Sequence, residues 1–183
     1  MPLPFFTVGH SNRTIEAFAD LLLAERIELV VDVRRLPGSH RHPQFDEDAL
    51  RASLATMGIG LIRNAALTGR RPISHDVPFE INALWRNRSF HNYADHALSE
   101  EFSEGLADLR SEGHRQRVAV MCSEAVWWRC HRRIIADHLL ARGEQVVHLM
   151  AAGRSQSAEL TPGASPDEVR GVVYPEPAPS RGE

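Results

Sequence analysis

The chain has 183 residues, of which 43% are hydrophobic and 25% are charged, as in an ordinary globular protein with one core. Its net charge of −3 excludes the overall basicity of many nucleic-acid-binding proteins. All 21 basic residues are arginine, so reactions that need a lysine, such as Schiff-base formation, are excluded. The first residues do not resemble a signal peptide, two cysteines are too few for a disulfide framework, and no apolar run reaches the roughly 18 residues of a membrane span. We therefore expect a cytoplasmic protein without membrane contact.

In chain order, the sequence predicts strands that alternate with helices. Strands are predicted at 5–9, 28–33, 59–64, 117–122 and 144–150, where short apolar or β-branched runs occur. Helices are predicted at 15–27, 46–57, 90–98, 99–113 and 129–142, where apolar residues keep helical spacing. Thr14 is the expected N-cap of the first helix. The Arg- and Pro-rich segment 66–92 is expected to be a long surface loop.

This alternation is typical of βαβ units. The predicted fold class is α/β: a single domain with a mostly parallel, Rossmann-like sheet of about five strands and helices on both faces. We expect the α/β domain to span 1–153. Residues 154–183 are rich in Gly, Ser and Pro and are expected to form a C-terminal extension that is partly packed and ends in a loose tail.

Ligands of open parallel sheets bind beyond the carboxyl ends of the strands. Three strands of the predicted sheet are followed by polar stretches at that edge, and the first is the stretch after 5–9. His10 is a candidate catalytic proton carrier there, and Ser11, Asn12 and Arg13 are candidate anion-binding residues.

The second polar stretch follows the strand predicted at 28–33. Asp32 stands among valines, so we expect it to be buried and paired, with Arg34 as its natural partner. Asp32 is a candidate catalytic residue. Arg34, Arg35 and Ser39 are candidate ligands for a phosphate or a carboxylate.

The third polar stretch, residues 121–133, reads MCSEAVWWRCHRR and contains both cysteines and two of the three tryptophans. Cys122 ends a predicted strand, and Glu124 is the best candidate acid–base carboxylate beside it. Cys130 is expected at a helix N-terminus, where the helix dipole and neighbouring arginines lower a thiol pKa. His131 is expected to face inward as a catalytic candidate, and Arg132 is a candidate anion-binding residue. The tryptophans are expected to wall the pocket.

Several other interpretations of these residues are open or excluded. Both cysteines and His131 are also compatible with an ordinary core. The spacing C-x7-C-H matches none of the usual zinc knuckles, so the sequence predicts no metal site. The phosphatase pattern C-x5-R is excluded because Trp128 occupies the arginine position, and no G-x-G-x-x-G dinucleotide motif occurs. The sequence does not identify a cofactor.

The three stretches together resemble one known family. The segments GHSNR, VDVRRLPGSHRHPQF and MCSEAVWWRCHRRIIADHLLARGEQVVHL, in that order from about residue 7 to residue 149, are similar to the family catalogued as domain of unknown function 488. The resemblance implies an α/β domain in which these motifs recur. It implies no activity, because the family has no established one.

Three functions are compatible with these observations. The first is an enzyme with a pocket at the strand ends that acts on a phosphorylated or nucleotide-like small molecule. The second is a nucleotide or nucleic-acid binding module without catalysis, using arginine and tryptophan. The third is a thiol redox or metal-sensing protein using Cys122 and Cys130. The enzyme is favoured, because candidate acids, bases and thiols converge on one edge of the sheet. Its expected partner is a small anionic or nucleotide-like ligand.

Overall fold

The centre of the protein is a six-stranded sheet in a computed structural model, whose structure is described for residues 1–179. The strands are β1 (Phe5–Gly9), β2 (Leu29–Asp32), β3 (Gly60–Arg63), β4 (Val118–Cys122), β5 (Val146–Ala151) and β6 (Arg154–Ser157). They lie in the order β3-β2-β4-β1-β5-β6. The first five strands run parallel to one another, and β6 runs antiparallel to β5. The predicted α/β class with a mostly parallel sheet is confirmed.

Five α-helices cover the two faces of the sheet. They are α1 (Ile15–Ala24), α2 (Glu47–Ala55), α3 (Arg88–His96), α4 (Glu100–Gly113) and α5 (Arg132–Leu140). The apolar sides of α1 and α2 pack on one face, and those of α3, α4 and α5 pack on the other. Thr14 caps α1 as expected, because its hydroxyl accepts a hydrogen bond from the Ala17 backbone N–H at 3.1 Å. The predicted helices on both faces are confirmed.

Alternation along the strands decides which helical layer each side chain meets. On β1, Phe6 and Val8 join the core beneath α1 and α2, whereas Phe5 joins the core beneath α3, α4 and α5. On β4, Met121 faces the first layer and Cys122 faces the second. Polar residues just beyond the strand ends continue this alternation, so they divide between the two faces of the sheet.

The C-terminal extension is docked on α5. Beyond β6, the strands β7 (Ser165–Asp167) and β8 (Gly171–Val173) form a separate two-stranded sheet. Tyr174 is fully buried, and its hydroxyl donates a hydrogen bond to Asp137 Oδ2 at 2.8 Å. The backbone N–H of Thr161 donates to Asp137 Oδ1, also at 2.8 Å. The last residues of the expected loose tail, 180–183, lie outside the described residues.

Within residues 1–179, no helix has both the length and the apolar character that crossing a membrane requires.

Replacing Tyr174 with Phe tests how firmly the extension is docked. The substitution leaves the buried Asp137 carboxylate without one donor, so we expect the free energy of unfolding to fall by about 1–2 kcal/mol in urea denaturation. Val169→Ala is the matched control, since Val169 is 94% exposed, and it should change the value by less than about 0.5 kcal/mol. Equal midpoints for Tyr174→Phe and the unmodified chain would contradict docking through Asp137.

Candidate functional site: a cysteine–histidine cluster beneath an arginine-lined cavity

A cavity of about 360 Å³ lies beyond the carboxyl ends of β2 and β4. Its buried floor contains Cys122 and Cys130, with the partly buried His131 beside them. Its rim is strongly basic, because the exposed Arg35, Arg70 and Arg129 all line it. Apolar contact surface comes from three further lining residues: Leu36, Phe90 and Tyr93.

The two thiols of the floor have different acidities. The hydrogen bond between Cys122 and Cys130, together with burial, raises the pKa of the Cys122 thiol to about 12. Burial alone would also raise the pKa of Cys130. The hydrogen bond from Cys122 and the charge and hydrogen bonds of Arg132 outweigh it, and they lower the pKa of Cys130 to about 6. The two shifts therefore favour the thiolate at Cys130 and the protonated thiol at Cys122.

Arg132 lies behind the cavity floor and stabilises this thiolate by charge and hydrogen bonds. It is 1% exposed, and its Nε donates to Cys130 Sγ at 3.3 Å while its backbone N–H lies 3.5 Å from the same sulfur. Its other nitrogens donate to Thr7 Oγ1 at 3.3 Å and to the Glu124 carbonyl at 2.6 Å. Arg132 begins α5, so the anion at this helix N-terminus is the thiolate of Cys130 itself.

The His131 ring is oriented by the end of β2. Its Nε2 lies 3.1 Å from the Val33 carbonyl oxygen, which can only accept, so Nε2 carries the hydrogen. Nδ1 then faces Cys130 Sγ at 3.6 Å. Gly69 packs against the same nitrogen so closely that a Cβ there would lie 2.8 Å from Nδ1. The ring is therefore held between a sulfur, a carbonyl and a glycine.

Six of the residues singled out in the sequence line the cavity: Arg34, Arg35, Cys122, Glu124, Cys130 and His131. Glu124, the candidate acid–base carboxylate, is exposed at the rim. Arg132 lies behind the floor and acts on the cavity through Cys130.

The stretch after β1 is not part of the cavity lining. The chain beyond β4 crosses directly over Gly9, where a Cβ would lie 1.8 Å from the Glu124 carbonyl oxygen. The Ser11 backbone N–H donates a hydrogen bond to the Ser123 carbonyl of this crossing segment. Asn12 is exposed, and the Arg13 guanidinium donates to the carbonyls of Gly9 and Met150. The expectation that the residues after β1 share one cavity with Cys122 is wrong, because a backbone crossing separates them.

His10 and Asp32 lie on the face of the sheet opposite Cys122. His10 stacks on Phe45, with ring centroids 4.3 Å apart, and burial lowers the pKa of its imidazole to about 4. Its Nδ1 donates to the Ser11 carbonyl and its Nε2 accepts from Arg34 Nη1 at 3.4 Å, so both nitrogens are engaged. The structure gives His10 a packing role instead of contact with a ligand in the cavity.

Asp32 and Arg34 form the buried ion pair that the sequence predicts. The closest contact joins Arg34 Nη2 and Asp32 Oδ2 at 2.7 Å, and Arg34 Nη1 also donates to the Phe45 carbonyl at 2.7 Å. This pair fixes the loop that presents Arg35 to the cavity. Ser39 stabilises the same loop by accepting from the His42 backbone N–H at 3.1 Å, and it does not line the cavity.

Sequence reasoning missed several lining residues, including Ser123, Phe90, Tyr93 and Arg129. Tyr93 lies on α3, far along the chain, and no local pattern marks it. Of the basic residues in the predicted surface loop, Arg70 lines the cavity, whereas Arg71 caps the carbonyls of Ala65 and Thr68.

The tryptophans do not wall the cavity, contrary to expectation. Trp127 instead stacks on His148, with centroids 4.4 Å apart and planes 6° from parallel. Trp85 packs in the core against Phe90 and Tyr174. Trp127 and Trp85 thus contribute to packing and not to the cavity wall.

Fold and site together define an α/β protein with an arginine-lined cavity above a cysteine–histidine cluster. The chain belongs to the family described as Domain of unknown function DUF488, whose model matches residues 14–139. The family resemblance of the motifs is thereby confirmed. No curated protein and no solved structure gives a significant match to the chain.

The acidity of Cys130 can be measured through its alkylation by iodoacetamide. We expect the rate at Cys130 to fall as the pH drops through about 6, because the thiolate is then protonated. Cys122 should stay unmodified in the native protein, which peptide mapping will show. Arg132→Gln should move the inflection upward, since the thiolate loses its buried counter-charge, whereas Arg129→Gln at the exposed rim should move it far less. An inflection near the ordinary thiol value of about 8.5 in the unmodified chain would contradict the buried thiolate.

Proposed function

We propose that the protein is an enzyme that removes a phosphoryl group from a small phosphorylated or nucleotide-like molecule, with the Cys130 thiolate as nucleophile. One observation carries the proposal: a thiolate of pKa about 6 lies in the floor of a cavity whose rim carries Arg35, Arg70 and Arg129. Phosphoryl transfer depends mainly on positioning and on cations that stabilise the transferred oxygens, and arginine suits both tasks.

The volume and the lining of the cavity favour a small molecule as ligand. Its volume of about 360 Å³ lies within the range of small-molecule sites, which begins near 300 Å³. Phe90 and Tyr93 supply apolar surface for the organic part of the ligand, and the arginines of the rim attract its charge.

The reaction balances as a two-step displacement. A lone pair of Cys130 Sγ forms a bond to phosphorus, and the ester oxygen leaves with its electron pair and takes a proton from solvent. Water then attacks phosphorus, gives its proton to Glu124, and releases phosphate and the thiolate. Glu124 is assigned this second step because it is the one carboxylate among the described residues that line the cavity.

The free thiols fit a reducing compartment, since both cysteines are unpaired in the described structure. We accordingly propose the cytoplasm as the site of this activity.

Incubation with a metabolite extract tests the function. The unmodified protein should consume a phosphorylated compound and release phosphate, and Cys130→Ser should abolish this. Glu124→Gln should slow the second step, so that intact-mass measurement detects a chain heavier by one phosphoryl group. Arg70→Gln and Arg129→Gln should each raise KM about tenfold or more, at about 1.5–3 kcal/mol for a hydrogen bond to a charged group.

The matched control is Arg86→Gln, because the Arg86 side chain is 90% exposed and does not line the cavity. It should leave the kinetics unchanged. Turnover by Cys130→Ser equal to that of the unmodified protein would show that the thiolate is not the nucleophile. Retention of a nucleotide without its consumption would instead favour the binding module.

A further inference from the structure

The side chains of the cavity floor have the composition and spacing of a metal site. Cys122, Cys130 and His131 each offer one ligand atom, and these three atoms all lie within 4.8 Å of one another. The linear spacing C-x7-C-H gives no hint of this, because the two cysteines come from the end of β4 and from the turn before α5. Two sulfurs and an imidazole nitrogen are ligands that zinc prefers.

The distance between His131 Nδ1 and Cys130 Sγ matches one edge of a tetrahedral zinc site. With Zn–S of about 2.3 Å and Zn–N of about 2.0–2.1 Å, tetrahedral angles place nitrogen and sulfur about 3.5 Å apart. The observed separation is 3.6 Å. The spacing of these two atoms is therefore that of two ligands of one zinc ion.

The partners of the three ligands are those that a metal site needs. The hydrogen on His131 Nε2 is held by the Val33 carbonyl at 3.1 Å, which leaves Nδ1 as the nitrogen that binds. The sulfur of Cys130 accepts from Arg132 Nε at 3.3 Å, and such N–H bonds stabilise a coordinated thiolate. Zinc with two thiolates is neutral overall, so binding changes the charge of the cluster from −1 to 0, and an anionic ligand in the fourth position would restore the negative charge beside Arg132.

We propose that Cys122, Cys130 and His131 bind one zinc ion whose fourth position faces the cavity, and that bound zinc masks the Cys130 sulfur. On binding, zinc displaces the proton of Cys122 into solvent. The fourth ligand is water or an oxygen of a bound anion, since all three protein ligands border the cavity. The masking of Cys130 rests on the proposed function, because this sulfur is the nucleophile of that reaction. The zinc site itself does not depend on the proposed function.

Zinc content and cobalt absorption test the site directly. The chain is purified without a histidine tag, stripped with a chelator, reloaded with zinc chloride and desalted. We expect elemental analysis to give about one zinc per chain. Cobalt(II) in place of zinc should show the near-ultraviolet thiolate charge-transfer absorption and the visible bands of a tetrahedral ion.

Variants assign the ligands. Cys122→Ser and His131→Gln should each lower the affinity for zinc, measured by competition with a chromophoric chelator. The loss should exceed the roughly 10- to 100-fold that results when a metal ligand loses its hydrogen-bond partner. His75→Gln removes an exposed histidine outside the cavity lining and should leave the affinity unchanged. Circular dichroism of each variant identifies any that fails to fold, and the stoichiometry of the unmodified chain tests the site without variants.

The outcomes separate this inference from the proposed function. Zinc should protect Cys130 from iodoacetamide, and a chelator should restore alkylation. Absence of stoichiometric zinc, or equal affinity in Cys122→Ser and His131→Gln, would overturn the zinc site and leave a Cys130-dependent phosphoryl transfer standing. Stoichiometric zinc without protection of Cys130 would overturn the masking. Ligand-dependent zinc in a chain that consumes no phosphorylated compound after chelation would uphold the site and overturn the proposed function.

Discussion

The candidate site depends on one buried charge, the guanidinium of Arg132. A charge so far from water needs a partner, and the ion pairs of the described residues give Arg132 no carboxylate. Its partner is the sulfur of Cys130, whose pKa is lowered to about 6 by the hydrogen bond from Cys122 together with the charge and hydrogen bonds of Arg132. The same guanidinium reaches Thr7 on β1 and the Glu124 carbonyl after β4, so one side chain ties the thiolate to two strands of the sheet.

The sheet separates the polar residues at its carboxyl edge into two groups, one on each face, with different structural roles. Cys122, Cys130 and His131 face the layer of α3, α4 and α5 and form the cavity floor. On the other face, Asp32 and His10 form a buried network with the guanidinium of Arg34, a residue that also borders the cavity, and Phe45 closes this network. This network orders the loop after β2 and thereby places Arg35 at the rim, so it supports the site from behind the sheet.

Most of the fold was predictable because its signals are local. The apolar runs of β1, β2 and β4 and the helical spacing of α1 and α5 each lie within one short segment. The docked extension was less predictable, since the burial of Tyr174 depends on Asp137, which lies 37 residues earlier. The rule that ligands bind at strand ends located Cys122 and Arg35, but it overlooked alternation within the strands. Counting along β1 from Phe6 and Val8 would have placed His10 beneath α1 and α2, away from Cys122.

The sequence alone determined the α/β class, the family, the Asp32–Arg34 pair and the concentration of candidate residues in 121–133. These follow from neighbouring residues, whose relative positions the chain itself limits. Tertiary structure decided which side chains share the cavity. It places Tyr93 and Arg70 in the same cavity as the cysteines, and it places His10 and Asp32 on the opposite face of the sheet. It also brings one potential metal-ligand atom from each of Cys122, Cys130 and His131 within 4.8 Å of the others. The reason is that a site is defined by distances of a few ångströms between residues far apart in the chain, and only the packing of strands and helices sets those distances.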